Sequence, residues 1–469
     1  MRVKQAFINS VWFGVIPRIT TIINLFILPF ITPYLTPFDY GIIGIINSYS
    51  GIFIVIATLG LNIHLTNSFY IYKNHFRKVW GRILVLLIIS GVIFGIIYGI
   101  IMYFSLIQVN GKLKFLTAVC ACLPIILNGN TTLAKHYYPL IYKPRPLVII
   151  NLISGICGIF ITFILIYFFK MGFLGWIIGS SASAIVAFIA FSYQLWYQEK
   201  IIPIFFYDFN RIKKWLTISL PIIPHTLGFV LISSSARIIM DWLNISINDI
   251  GIYTNGYIMG DYITVITTAL IISIAPRIQE LYRERNFIKL KTLFFFCQII
   301  ALLSSLTFAI WMPEIYELLI RNADLQPASK IAIFISFANA AFPFYTFIST
   351  IAFIEEKTTK ILWLVFIPAS LNIILNFVFL PLFNYKVAIY VALISYWSQL
   401  AIPFIVPYFR EITKALLGNL KILIYLFMTM AILTILGYLF SKTYISIKIL
   451  ITIIIISFVF FISLKNKEI

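Results

Sequence analysis

Hydrophobic residues run through this chain in long blocks, separated by short polar connections. Each block approaches the ~20 apolar residues that a helix needs to cross ~30 Å of hydrocarbon. Lipid offers no partner to an open backbone polar group, so repeated long apolar runs mean spanning helices. The pattern predicts an all-α integral membrane protein with about 14 transmembrane helices. They lie near 11–32, 41–63, 83–107, 115–138, 147–169, 173–195, 215–238, 251–275, 292–312, 330–352, 361–381, 387–408, 421–440 and 447–464. The connections leave little room for a soluble catalytic domain. The working parts are therefore expected inside the bundle, and a transporter is the default reading.

The polar positions refine the picture. Basic residues concentrate in alternate loops, around 73–82, 143–145, 211–214, 277–291, 357–360 and 410–414, and at both termini. The other loops hold only Lys112, Lys114, Lys170, Arg321, Lys330, Lys386, Lys442 and Lys448. Lys and Arg are retained on the cytoplasmic side, so both termini are expected there, in agreement with an even helix count. This asymmetry also accounts for the net charge of +20, which implies no nucleic-acid partner. Only 11% of residues are charged, against roughly 25% in soluble domains. The opening apolar run is too long for a signal peptide and lacks a small-residue cleavage site. Cys120, Cys122, Cys157 and Cys297 all lie in apolar runs. Two residues apart, Cys120 and Cys122 point to different sides of a helix, and no metal site or cofactor is expected.

The chain repeats itself at an offset of about 210 residues. Asp39-Tyr40-Gly41-Ile42 follows the first helix, and Asp249-Ile250-Gly251-Ile252 follows the seventh. The turn Lys170-Met171-Gly172-Phe173 has its counterpart near Asn384-Tyr385-Lys386-Val387. An offset of six helices preserves orientation, so two parallel six-helix repeats are expected around a central cavity, with substrate between them. The predicted division is an N-terminal lobe over 1–205, a C-terminal lobe over 206–410, and two additional transmembrane helices with a cytoplasmic tail over 411–469.

Several short motifs carry a family likeness. Leu35-Thr36-Pro37-Phe38-Asp39-Tyr40-Gly41 resembles the signature that follows helix 1 in polysaccharide-unit flippases, and Gly60-Leu61 resembles their closing of helix 2. Leu220-Pro221-Ile222-Ile223-Pro224-His225 looks like the family's entry to helix 7. Ala236-Arg237-Ile238-Ile239 with Gly251-Ile252-Tyr253, and Leu371-Asn372-Ile373-Ile374-Leu375-Asn376 with Leu380-Pro381, resemble two later elements. Together they resemble the O-antigen and lipooligosaccharide exporters of the multidrug/oligosaccharidyl-lipid/polysaccharide (MOP) superfamily, over nearly the whole chain. The resemblance implies a MATE-like bundle in a bacterial cytoplasmic (inner) membrane. It also implies translocation of undecaprenyl-pyrophosphate-linked oligosaccharides by alternating access, without enzymatic activity. Substrate, bilayer and other polysaccharide-assembly membrane proteins would be the partners. In related lipid-precursor flippases two extra helices form a groove for the lipid tail, a role the last two helices could share. Two departures stand out: Ala236 replaces the usual Asp, and Lys386-Val387-Ala388 lacks the expected Gly-rich turn.

A charge at mid-bilayer costs at least ~2.5–3.5 kcal/mol on insertion scales, so one kept there faces a cavity or a partner. Arg18, Arg237 and Lys135 are the candidate substrate contacts, because Arg offers paired planar donors to phosphate oxygens. Arg18 and Arg237 come from the first helix of each half and would face one cleft. Arg237 could instead pair with Asp241 at i+4, and Lys135 could snorkel to the interface. Asp39, Asp241 and Asp261 are candidates for gating or ion coupling, Asp261 foremost, since cation-driven transport needs an acid in a dry place. Pro17 and Pro29 in helix 1, and Pro221 and Pro224 in helix 7, mark expected hinges. No P-loop GxxxxGK(S/T) is present, which points to an ion gradient, H⁺ or Na⁺, as the driving force. The alternatives are a multidrug/cation antiporter of the same superfamily, against which the arginines count, and a membrane glycosyltransferase or polymerase of the same pathway.

Overall fold

The computed structural model describes residues 19–72, 75–205, 208–417 and 421–465. Every regular element among them is helical. Among the described residues ten helices are long and apolar enough to cross a membrane: α2 (Pro37–Ile71), α3 (Phe76–Ser105), α4 (Gly111–Leu140), α5 (Pro144–Tyr167), α6 (Phe173–Gln198), α7 (Phe209–Trp242), α9 (Phe287–Ile310), α10 (Ala323–Ile354), α11 (Thr359–Phe379) and α13 (Lys421–Phe440). A bent pair, Ile247–Ile271 with Ile274–Arg283, makes an eleventh if it is one span, α8. Three apolar stretches are shorter: α1 (Ile19–Tyr34), α12 (Val387–Leu400) and α14 (Ile445–Val459), the last of which continues as helix to Lys465. The described part of α1 begins where the first expected span is already under way, and α12 closes in a 3-10 turn at Ser398–Leu400. The protein is a multi-pass membrane protein.

The chain divides into two compact units, one ending at Val230 and the other beginning at Leu231. The division falls inside α7, whereas the expected lobe boundary lies in the preceding loop. The early part of α7 packs within the first unit: the Trp215 and His64 rings are 5.0 Å apart. A Cβ on Gly60 would lie 2.2 Å from the Ser219 carbonyl oxygen. Gly60 is at φ +64, a conformation glycine adopts at no steric cost, so both its backbone and its neighbour require glycine.

Within the first unit the even-numbered helices are interrupted. α2 breaks between Pro37–Ala57 and Asn62–Ile71. α4 breaks at Leu127, between Gly111–Ile126 and Asn128–Leu140, and α6 ends in a π turn over Tyr193–Gln198. Side chains take up the loosened backbone groups. Ser90 donates to the Ala57 carbonyl at 2.6 Å. Around these joints Trp80, Leu84, Leu133, Tyr138 and Phe191 form a fully buried core.

The second unit repeats the interruptions at its own even-numbered helices. α8 breaks between Ile247–Asp261 and Thr264–Arg283, α10 between Ser329–Asn339 and Phe342–Ile354, and α12 at its 3-10 turn. Gln298 of α9 donates to the Ala340 carbonyl at 2.8 Å, and the Trp397 indole donates to the Phe337 carbonyl at 3.1 Å. The breaks thus recur at close to the offset of the sequence repeat.

The repeated acid is also in matching places. Asp39 closes a capping box with Thr36 at the start of α2, and its Oδ1 accepts the Phe173 amide of α6 at 2.8 Å. In the second unit Asp249 lies in the first turn of α8, where its charge acts on Tyr385 and Lys386. Burial, and then Asp249, pushes the Tyr385 phenol up from its ordinary pKa. Gly172 makes the first joint possible: it has φ +55, and a Cβ there would lie 2.4 Å from Asp39 Oδ1. Gly172→Ala is expected to cost about 1–3 kcal/mol of stability, seen as a lower melting temperature of the purified protein. Melting at the wild-type temperature would show that the loop can shift away.

The last two helices are bound to the second unit by polar contacts as well as packing. Lys448 of α14 is only 1% exposed, and its Nζ lies 2.5 Å from Glu314 Oε1 and 2.8 Å from the Ser441 carbonyl oxygen. The Trp311 indole donates to Thr452 at 2.9 Å.

Candidate functional site in the second unit

Arg237 lies late in α7, in the stretch Ser233-Ser234-Ser235-Ala236-Arg237. It is 6% exposed. Its Nη2 donates to the Ser233 carbonyl at 2.6 Å, one turn back, which turns the guanidinium along the helix. There it sits over the Tyr257 ring, 4.8 Å from the centroid. Its Nε is buried without a hydrogen-bond partner. The ion pairs among the described residues are Arg211–Asp208, Arg277–Glu280 and Lys448–Glu314, so Arg237 is in none of them. The alternative i+4 pair of Arg237 with Asp241 is likewise not among them. A ring face stabilises a desolvated cation by about 2 kcal/mol, well short of what burying an unpaired charge costs.

Tyr257 carries the arrangement onward. Its hydroxyl and that of Tyr396 in α12 are 3.0 Å apart. The Tyr396 hydroxyl feels the charges of both Asp261 and Arg237. Asp261, one turn after Tyr257, occupies the break in α8, and its Oδ1 accepts from Asn339 Nδ2 at 3.2 Å. Asn339 ends the helix before the break in α10. Contacts thus run from the guanidinium to Tyr257 and on to Tyr396, whose hydroxyl feels the charge of Asp261 at the two helix interruptions.

The other face of the same stretch is tied down. Ser235 donates to Asn372 Oδ1 at 2.7 Å, and Asn376 Nδ2 donates to the same oxygen at 2.9 Å. Asn372 and Asn376 are fully buried. These are the two asparagines of the α11 motif, and they set the rotation of α7 that turns Arg237 toward Tyr257.

The remaining sequence candidates lie elsewhere. Arg18 and Pro17 are outside the described residues. Lys135 is exposed near the end of α4. Asp39 belongs to the joint between α2 and α6. Asp241 is partly buried at the end of α7. Pro29 is inside the helical part of α1, Pro221 is in a 3-10 turn within α7, and Pro224 opens the helix after it, where its missing N–H costs little. Sequence reasoning missed Tyr257, Tyr396 and Asn339. Tyr257 had a signal, its i+4 spacing from Asp261. Tyr396 and Asn339 are polar residues in apolar runs and carried no mark of their partners.

Comparison with known proteins agrees with this architecture. Residues 8–282 match the family model described as polysaccharide biosynthesis protein. No curated protein matches the sequence. An inward-facing multidrug resistance MATE family transporter of the MOP superfamily is 16% identical, with a TM-score of 0.64, covering 87% of this chain and 99% of that one. The lipid II flippase MurJ, in an inward closed conformation, is 14% identical, with a TM-score of 0.65, covering 97% of this chain and 99% of that one. At such identities the likeness is one of fold. The family model spans more than half of the chain, so this chain belongs to the polysaccharide biosynthesis protein family, and its fold is like that of the MATE transporter and the lipid II flippase.

Proposed function

We propose that the protein is a flippase that carries undecaprenyl-pyrophosphate-linked oligosaccharide units across the bacterial cytoplasmic membrane for surface polysaccharide or lipooligosaccharide assembly. The observation that supports this most is the buried Arg237, held on Tyr257 with its Nε unpaired. A pyrophosphate supplies the missing anion, and Arg presents donors in the fork geometry that phosphate oxygens match. An apolar groove of about 630 Å³ in the second unit suits the lipid tail; it is lined by Ile266, Thr307, Phe308, Trp311, Ile455 and Val459. Lys448 keeps α14 in place along that groove.

Transport in this reading is driven by an ion gradient. Asp261 takes up the ion, and the tyrosine pair passes its charge state to Arg237. The breaks in α8, α10 and α12 are the points at which the helices bend. A drug antiporter is the weaker reading, because a cationic substrate would be repelled by Arg237.

The test is deletion of the gene in its own host. Loss of surface glycan with accumulation of the lipid-linked precursor is expected, and the wild-type gene should restore export. Asp261→Asn should bring the protein to the membrane but export far less glycan, since an intramembrane acid of this kind marks an ion or proton pathway. Unchanged glycan after deletion would overturn the flippase reading, and wild-type export by Asp261→Asn would overturn the coupling role.

A further inference from the structure

The first unit carries an apolar groove of about 480 Å³ between α3 and α4, close to their connection at 106–110. Among the described residues its lining includes Ile96, Gly99 and Tyr103 of α3, and Ala118, Val119 and Cys122 of α4. The Cys122 thiol donates to the Val119 carbonyl at 3.0 Å. Ile96, Tyr103 and Val119 are exposed, so the groove opens at the surface of the unit.

Helix packing does not account for this hollow. One turn before it, Gly95 is required where α3 meets α4: a Cβ there would lie 2.4 Å from Ile126 Cγ1. At Gly99 the nearest atom to a Cβ would be Cys122 Cβ at 3.5 Å, an ordinary van der Waals distance. An alanine would fit at 99 and would be the better helix former. The contact between the helices therefore needs glycine at 95 and not at 99.

The mouth of the groove is basic. Lys114 Nζ lies 4.9 Å from the centroid of the Tyr103 ring, which places the ammonium at the rim. Lys112 is exposed two residues earlier. Both belong to the loops that are otherwise poor in Lys and Arg, so retention of cations on the cytoplasmic side does not explain them. An interfacial anchor explains a lysine at a helix end, but not the hollow beside it. From Ile96 to Tyr103 the helix rises about 10 Å, within the ~15 Å that is half of a ~30 Å hydrocarbon core. A ligand with an apolar chain of this reach and an anion at its end matches both parts. Free phosphate would leave the groove unused, and a neutral lipid would leave the lysines unused.

We propose that this groove is a binding site for an anionic phospholipid, with one acyl chain between α3 and α4 and the phosphate at Lys112 and Lys114. The proposal does not rest on the flippase reading.

Photolabelling of the full-length protein in phosphatidylcholine nanodiscs tests it. The probe is phosphatidylglycerol with a diazirine on its acyl chain, and labelled peptides from 96–122 are quantified. Unlabelled phosphatidylglycerol should displace the probe there about 30-fold more effectively than phosphatidylcholine, as the attraction of two lysines to an anionic lipid implies. Lys112→Gln combined with Lys114→Gln should bring the two competitors close to parity. Gly99→Leu should remove labelling of 96–122 and leave labelling of 300–311, in the groove beside α14, unchanged. Loss of both labels would mean that this variant misfolds, and Gly99→Ala then decides. Its methyl finds ordinary contact with Cys122, so it should fold and bind the probe about fourfold more weakly, the worth of one displaced methylene. No labelling of 96–122 in the wild type, or equal displacement by the two competitors, would overturn the site. So would a preference that survives loss of both lysines, or wild-type labelling in Gly99→Ala. Stronger displacement by undecaprenyl phosphate than by phosphatidylglycerol would assign the groove to an isoprenoid and overturn the phospholipid.

Discussion

Arg237→Gln is expected to stop export of surface glycan while the protein still reaches the membrane. Glutamine retains a hydrogen bond to the Ser233 carbonyl but cannot supply a charge. Truncating one side of a buried, charged contact costs about 2–5 kcal/mol, equivalent to roughly 30- to several-thousand-fold in affinity. Arg237→Lys keeps the charge as a point and loses the fork, so it should recover part of the activity. Tyr257→Phe keeps the supporting ring and removes only the hydroxyl that meets Tyr396. It should bind the pyrophosphate lipid as the wild type does and still export poorly. The measurements are surface glycan, accumulated precursor and membrane protein level in the deletion host. Wild-type export by Arg237→Gln at equal protein level would place phosphate recognition elsewhere.

Lys448→Met should loosen the last two helices. Lys448 is buried against Glu314, while Glu314 is partly accessible, with 29% of its side chain exposed. Removal of one partner of a buried pair strands the other, at about 3–5 kcal/mol for full burial. The accessibility of Glu314 puts the expectation toward the lower end. Replacement of both partners, as Lys448→Met with Glu314→Gln, should recover much of the loss, because no lone charge then remains. Thermal melting and limited proteolysis of the purified protein read the two effects. A single variant as stable as the wild type would mean that packing alone holds α14. Glycan export by that variant then shows whether the groove beside α14 matters to transport.

The fold was legible because the lipid demands it. Long apolar runs and alternate basic loops leave few architectures, and Asp39 and Asp249 marked the repeat. Gly60, Pro221, Asn372 and Asn376 were visible as motif residues, and each proves to sit where helices meet or break. Arg237 and Asp261 stood out because charge is rare in such runs. Their partners did not. Tyr257 and Tyr396 are two among 27 tyrosines, and which of them meet depends on helix rotation that apolar periodicity leaves open when nearly every face is apolar.

The charges of α7 and α8 bear on how the chain is made. Arg237 near the end of one span and Asp261 within the next each carry an insertion cost of ~2.5–3.5 kcal/mol at mid-bilayer. Neither helix enters lipid cheaply alone, and the interruption at Asp261 leaves α8 shorter still as a continuous apolar stretch. The connection between them, Leu243–Ser246, is too short for one to leave the translocon long before the other. The α7–α8 hairpin is then expected to insert as one unit, with the Tyr257 ring against Arg237 as it does so. The residues proposed to serve the substrate in the finished protein are in this sense also the ones expected to set the order of its biogenesis.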